Sequence, residues 1–405
     1  MKLQFSDLLY SFSYGLDCVE GQLLPIAAGH GKRVARLCVI LGRALGMEAD
    51  ELVEIAGLAT LHDNALTEFI RVEFQDEDKE KLHFGGKKLG AHCVIGEKNL
   101  EKLPFALKHK NAVLYHHEEA NGKGPFQKKA WETPLAAQLI HMADSLDTRF
   151  RLDNMDEEKY EKMCAYVQKM QDIRYSKECV EAFFEGVTLE ALAGMEKAEL
   201  FTVLSTEAGS GFKDYSNEEI HDFCNFWIKI IDYKSKFTRS HSLGVAALAE
   251  KMGKYYGYDE DKCTRLYLAG AVHDLGKLAV HSKILEKPDK LTDKEYRHIQ
   301  THAYQSWIML KDIKGLEEET KWAVHHHEKL DGTGYPFGKN EDELGFEERL
   351  MACVDIYQAL TEGRPYKEGF PHEKAISIMK EMVERRFIDK KITEDMEIFL
   401  AEKSA

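Results

Sequence analysis

His273 and Asp274 are neighbours in the chain, and so are His326 and His327. A vicinal imidazole and carboxylate offer a borderline nitrogen donor and a hard, bridging oxygen donor from consecutive residues. That combination suits two metal ions sharing one oxygen ligand. A lone His-Asp pair means little, because such dipeptides arise by chance and mostly cap helices or sit on surfaces. This one belongs to a series. His241, His273, Asp274, His302, His326, His327 and Asp355 put seven ligand-type side chains on segments that otherwise read as helices. Two divalent cations about 3.5 to 4 Å apart polarise a phosphoryl group and lower the pKa of a shared water enough for hydroxide to exist at neutral pH.

The elements that must position these residues are helices. The chain has only 8 prolines in 405 residues, few β-branched alternations and many stripes of 3.6-residue period. Val245, Leu248, Met252 and Tyr255 follow His241 along one helical face. Thr292 with Glu295 forms a capping-box pattern just after Pro288, so a helix should start there and carry His302. The fold class expected is all-α, with the motif histidines projecting from helices.

The first half repeats the second. An offset of 211 residues carries His241, His273, Asp274 and Asp355 onto His30, His62, Asp63 and Asp144, and an offset of 210 carries His302, His326 and His327 onto His92, His116 and His117. The core stripe maps onto Val34, Leu37, Leu41 and Ala44. Helical periodicity alone reproduces a stripe, but not seven ligand-type residues at near-constant offset. Two tandem domains are therefore expected, 1–200 and 201–405. Helices completing the first domain, a linker near Gly209-Ser210-Gly211 and the first helix of the second should fill the region between the copies. Its Met and aromatic residues, Met163, Tyr175 and Phe183 among them, read as core.

With 44% hydrophobic and 31% charged residues the chain is long enough for two full cores. A formal net charge of −15 argues against a nucleic-acid polymer or an anionic membrane as partner. It leaves room for a small anionic ligand in a cleft whose local potential is set by metals and a few cations. There is no run of eighteen apolar residues and no signal-peptide pattern at the start, so a cytoplasmic protein is expected. The 8 cysteines stand singly with no CxxC, and read as reduced, mostly buried small hydrophobes; Cys353, two residues before Asp355, is read as core packing.

From His241 to Tyr366 the chain resembles the HD-GYP branch of the HD phosphohydrolase superfamily. The residues that carry the likeness are His241, His273-Asp274-x-Gly276-Lys277, His302, His326-His327-Glu328, Asp331-Gly332-x-Gly334-Tyr335-Pro336, Asp355 and Arg364-Pro365-Tyr366. The resemblance implies Asp274 as the bridging carboxylate, His241, His273 and Asp355 around one ion, and His302, His326 and His327 around the other. A mixed imidazole and carboxylate set with open positions suits iron or manganese better than zinc. Relatives with three metals use a glutamate four residues before the first histidine; Phe237 stands there, so two metals are expected.

By the same resemblance Lys277 stabilises charge in the transition state, and Lys277, Arg364, Lys367 and Tyr335 bind substrate. The loop around Tyr335 shapes the cleft and is a meeting point for partner proteins such as a diguanylate cyclase. The activity implied is hydrolysis of a cyclic dinucleotide, cyclic di-GMP to pGpG, or to GMP after a second cleavage. The rival enzyme reading is the same chemistry on 3',3'-cyclic GMP-AMP, and the rival of another class is a receptor or scaffold without turnover. One departure stands out: the family's Asp-x-x-Asp is Asp355-Ile-Tyr-Gln358 here. His325 and His281 carry no family role and read as ordinary polar residues.

The first copy has diverged in one direction. Leu66 replaces Lys277, Asn121-Gly-Lys-Gly-Pro125 lacks the tyrosine, and no Arg-Pro-Tyr follows Asp144. The metal ligands persist while the phosphate-handling groups do not. The first domain is therefore expected to be regulatory or structural, with His30, His62, Asp63, His92, His116, His117 and Asp144 as an open candidate for a second metal site.

Overall fold

The computed structural model describes residues 1–23, 28–66, 68–69, 89–101, 103, 109–195, 213–234, 240–287, 289–363 and 368–401. These form 17 α-helices and one pair of two-residue strands, the all-α class expected. No helix among them is long and apolar enough to cross a membrane. The chain divides into two compact units, Gln4–Lys213 and Asp214–Ala405, and Met1–Leu3 belongs to the second. The boundary expected at 200/201 and the Gly209-Ser210-Gly211 linker lie outside the described residues, as do Pro288, Arg364, Lys367 and Phe237.

In the first unit α1 (Phe5–Leu23), α2 (His30–Ala44), α3 (Ala49–Thr60), α4 (Leu89–Leu100), α5 (Leu135–Phe150), α6 (Glu157–Lys169) and α7 (Lys177–Gly186) supply the frame. Helix α2 packs on α3, α5 and α7. Its stripe Val34, Leu37 and Leu41 is fully buried, which is the apolar face that holds a helix against its neighbours. Met163, Tyr175 and Phe183 are buried as core.

The second unit repeats this with α8 (Asn217–Lys234), α9 (His241–Tyr255), α10 (Glu260–Val272), α11 (Asp293–Leu310), α12 (Glu317–Val324), α13 (Phe346–Thr361), α14 (His372–Glu384) and α15 (Lys390–Ala401). Helix α9 lies between α10 and α13. Val245, Leu248 and Met252 are buried, but Tyr255, the last residue of α9, is exposed and rests against Phe399. The stripe ends one turn earlier than expected because the helix ends there. The capping box is present: Thr292 accepts from the Glu295 amide, and the Glu295 carboxylate accepts the Thr292 N–H at 2.7 Å. Met1 exchanges two hydrogen bonds of 2.8 Å with Tyr215, which ties the start of the chain to this unit.

Candidate metal centre

The ligand histidines do not all project from helix bodies. His241 opens α9 and His302 lies within α11, but His273 caps the C-terminus of α10, and His326 and His327 follow α12 in a turn. Adjacent residues in a continuous helix diverge by about 100°. Ending the helix lets His273 and Asp274, and likewise His326 and His327, turn toward one point.

Local chemistry fixes the rings. Nδ1–H of His273 donates to the Gly270 carbonyl at 2.7 Å, that of His302 to Ile299 at 2.6 Å and that of His326 to Ala323 at 2.6 Å. Each bond captures the carbonyl three residues earlier and sets the tautomer, so Nε2 presents its lone pair to the site. Behind the His-Asp pair, Ser306 Oγ donates to the His273 carbonyl at 2.9 Å and accepts the Gly276 N–H at 2.8 Å. Position 276 needs glycine, because a Cβ there would sit 1.9 Å from the His302 carbonyl oxygen.

Asp274 stands between two groups of donors. Its Oδ2 is 3.2 Å from His273 Nε2 and 3.9 Å from His241 Nε2, and its Oδ1 is 3.3 Å from His302 Nε2. On one side the ligand atoms of His241, His273 and Asp355 lie within 4.8 Å of one another, and on the other so do those of His302, His326 and His327. Asp355 Oδ1 is 3.0 Å from His241 Nε2. His273 Nε2 and Asp274 Oδ1 are fully buried with no hydrogen-bond partner. A buried polar atom left in that state costs free energy unless a cation uses its lone pair, so these donors fit bound metal.

The electrostatics agree with a cation site. Burial pushes the Asp274 carboxyl up, but His273 and Lys277 outweigh it and hold the group well below the usual carboxylate range. Asp355 is likewise held low against burial by His241. Burial lowers His302 to about 4 and His327 to about 3. His241 goes the other way: burial opposes its charge, but Asp355 and Glu362 raise it to about 9.

Of the groups expected to handle substrate, Lys277 sits on the 3-10 turn Leu275–Ala279 and donates to Asp274 Oδ2. Tyr335 lies against the site with its ring 4.7 Å from that of His327. Its loop is held from beneath by Glu328, which accepts from the amides of Phe337 at 2.7 Å, Gly338 at 3.2 Å and Lys339 at 2.9 Å. Gly332 takes positive φ, whereas Gly334 serves close approach: a Cβ there would meet the Glu328 backbone at 2.5 Å.

Several of these roles escaped the sequence reading. Glu362 bonds His241 Nδ1 at 3.2 Å, and nothing in its spacing flagged it. Glu328 belongs to the motif, and its three amide contacts explain why. His325 is buried and bonded to Glu348, joining the His-His-Glu turn to the start of α13, while His281 caps a short helix at Ser282–Leu285. Both make local structural contacts, and Cys353 is fully buried in α13.

The first unit builds the same centre. His62 and His116 donate Nδ1–H to Ala59 and Val113, Asp63 Oδ1 lies 3.2 Å from His92 Nε2 and 3.6 Å from His116 Nε2, and His30 Nε2 is 3.3 Å from Asp144. His62 Nε2 and Asp63 Oδ1 are buried without partners. His117 Nδ1 lies 3.9 Å from Asp144. Glu118 accepts the Phe126 and Lys128 amides at 2.6 Å, the counterpart of the Glu328 anchor. One residue here was read otherwise from sequence, and another, Glu20, was not singled out at all. Cys93, taken as a packing residue, has Sγ 3.6 Å from His92 Nε2. Burial pushes its thiol up, but His116 and His92 outweigh it and hold it at about 7. Glu20 of α1 is buried with neither carboxylate oxygen hydrogen-bonded, and its electrostatic neighbours include His30 and Asp63.

Comparison with known proteins finds an HD domain at residues 28–149 and another at 225–392. The chain belongs to the HD-GYP family of HD phosphohydrolases. It is 28% identical over 377 residues to 3'3'-cGAMP-specific phosphodiesterase 1 of Vibrio cholerae, covering 90% of this chain and 85% of that one. A cyclic di-GMP phosphodiesterase of Pseudomonas aeruginosa is 33% identical over 187 residues, 45% of each chain. The solved structure of a V. cholerae cyclic GMP-AMP specific phosphodiesterase shares the fold at a TM-score of 0.68 and 22% identity, covering 99% of this chain and 98% of that one. Within this HD-GYP protein the second domain carries the full motif and the first a degenerate copy.

Proposed function

We propose that the second domain is a metal-dependent phosphodiesterase that opens a cyclic dinucleotide, cyclic di-GMP to pGpG, or to GMP after a second cleavage. The observation that carries this reading is Asp274, a buried carboxylate between two groups of three ligands, with its own Oδ1 and His273 Nε2 unpartnered. We assign His241, His273 and Asp355 to one divalent ion, His302, His326 and His327 to the other, and Asp274 to both. Two ions, iron or manganese, suit this donor set. When bound they polarise the phosphoryl oxygen and supply hydroxide at neutral pH.

The chain's own groups do the rest. Lys277 places an ammonium beside Asp274, where it meets charge building on the phosphoryl oxygens. Tyr335, packed on His327, forms a wall of the cleft and orients the substrate. Arg364 and Lys367 bind phosphate by motif, outside the described residues. A diguanylate cyclase is the partner we assign to the Tyr335 loop. Phe337 on that loop is exposed and forms an aromatic group with Tyr304 and Trp307, the surface type that protein partners bury. All 8 cysteines are free of disulfides, which supports a cytoplasmic setting.

A second substrate reading has its own support. Two relatives that match about nine-tenths of the chain are named for 3'3'-cGAMP, while those named for cyclic di-GMP match less than half of it. Guanine and adenine differ at base edges that the shared motifs do not touch. The deciding experiment is product chromatography with each cyclic dinucleotide after anaerobic loading with iron or manganese, alongside metal analysis. Cleavage of either gives the function and the ratio gives the preference. A fully loaded chain that binds but cleaves neither would overturn the enzyme reading in favour of a receptor.

A further inference from the structure

The two domains differ at the position that follows one of the candidate ligand histidines. In the second, the residue after His302 is Ala303; in the first, the residue after His92 is Cys93. Both are fully buried. In the first domain the ligand atoms of His92, Cys93, His116 and His117 all lie within 4.8 Å of one another. Sγ of Cys93 is 3.6 Å from His92 Nε2, which is 3.4 Å from His116 Nε2. Four ligands around zinc, nitrogen at about 2.0 Å and sulfur at about 2.3 Å, stand about 3.3 to 3.6 Å apart along the edges of the tetrahedron. Two of the six edges, Cys93 to His92 and His92 to His116, already have that length. Independently, Asp63 Oδ1 is buried, has no hydrogen-bond partner and points at the same place, 3.2 Å from His92 Nε2.

We propose that the first domain holds a zinc ion on His92, Cys93, His116 and His117, a closed site distinct in metal preference from that of the second domain. A thiolate among imidazoles selects a borderline-soft ion, whereas a carboxylate and imidazole set without sulfur favours harder or redox-active metals. Three histidines and a cysteine also complete four-coordination, and a zinc with no open position holds structure together instead of activating water. That role matches the loss of the phosphate-handling groups, with buried Leu66 where the second domain has Lys277. The zinc ties α4, which carries His92 and Cys93, to the turn bearing His116 and His117. One chain thus carries two copies of one motif tuned to different metals by a single side chain.

The test uses the full-length chain loaded with cobalt(II). A thiolate-to-cobalt charge-transfer band with four-coordinate visible bands is expected in the wild type, retained in Asp274→Ala and lost in Cys93→Ala, which copies the residue of the second domain. A wild-type spectrum without that band, or a band that survives Cys93→Ala, would overturn the assignment. Should Cys93→Ala fail to fold, zinc X-ray absorption on the Asp274→Ala chain decides: a sulfur neighbour at about 2.3 Å supports the site, and a shell of nitrogen and oxygen alone refutes it. Neither readout involves turnover, so a chain inert toward cyclic dinucleotides would leave the result standing.

Discussion

Nδ1 of His241 lies 3.2 Å from Oε2 of Glu362, a residue seven positions beyond the metal-ligand candidate Asp355. In the first domain the corresponding ring, His30, turns its Nδ1 to Asp147 at 2.7 Å, only three positions beyond Asp144. Asp147 is also gripped by Arg33 through Nε at 2.7 Å and Nη2 at 2.9 Å. The counterparts of Arg33 and Asp147 in the second domain are Gly244 and Gln358. Gln358 packs over Gly244 so tightly that a Cβ there would come within 2.1 Å of its amide nitrogen. The two arrangements are alternatives: Asp147, held by Arg33, orients His30 in the first domain, and Glu362 at the end of α13 takes that place beside His241 in the second.

Glu362 should therefore behave as a ligand-orienting residue although no motif contains it. Removing the partner that sets a ligand's tautomer lowers metal affinity or activity by about 10- to 100-fold. We expect Glu362→Ala to fall in that range, with weaker metal retention in the second site and KM little changed. Gln358→Ala should leave both within a few fold. Metal titration and steady-state hydrolysis of the two variants compare them directly, and equal losses would place the orienting role elsewhere.

The unpartnered Oδ1 of Asp274 predicts a sharper effect. Asp274→Ala removes a carboxylate that lies within 3.3 Å of a histidine in each ligand group, so hydrolysis should be abolished and metal lost from the second site. Asp63→Ala in the first domain should leave turnover within a few fold. Product assays with metal analysis on each variant check the pair. Turnover surviving Asp274→Ala would move the chemistry to the first domain.

Glu328 separates cleft shape from metal binding. Its carboxylate accepts three loop amides, and its ring neighbours in the turn are ligands while it is not. Removing it takes away three part-buried hydrogen bonds to amides that water can reach, a loss of about 1 kcal/mol each. The loop carrying Tyr335 should then lose its fixed position. Glu328→Ala is expected to raise KM several-fold while metal content stays at the wild-type level. Metal loss with unchanged KM would show that the anchor serves the ligands instead.

Much of this was legible in the chain before any coordinates. Candidate ligands announce themselves by type, and vicinal His-Asp and His-His pairs leave little freedom in where they point; in each copy the structure brings such side chains together. Orienting groups do not. Glu362 is one of many glutamates, and only the bend at the end of α13 brings it to His241. No CxxC pair marks Cys93, whose neighbours include histidines 23 and 24 residues onward, brought near by the fold. The split role of the two loop glycines was equally invisible, because close approach and positive φ both read simply as glycine.

The Arg33–Asp147 pair supplies a test that is silent in catalysis. Both side chains are buried, and breaking a buried pair by removing one partner costs about 3–5 kcal/mol because it strands the other charge. Asp147→Ala should lower the unfolding free energy of the first domain by that order while the second keeps its hydrolytic rate. The pH dependence follows from the same pair. Burial raises the Asp147 carboxyl, but hydrogen bonds from His30 and Arg33 outweigh it and hold the folded group below the ordinary value of 3.8. Between those two values the unfolded chain binds more protons than the folded one, so stability rises with pH there. The contribution is fully present above 3.8 and is lost as pH falls through the depressed folded value. The gap in stability between wild type and Asp147→Ala should accordingly be widest near neutrality and narrow in acid. Chemical denaturation of both chains across that range measures it, and a gap that widened in acid would contradict the ion pair.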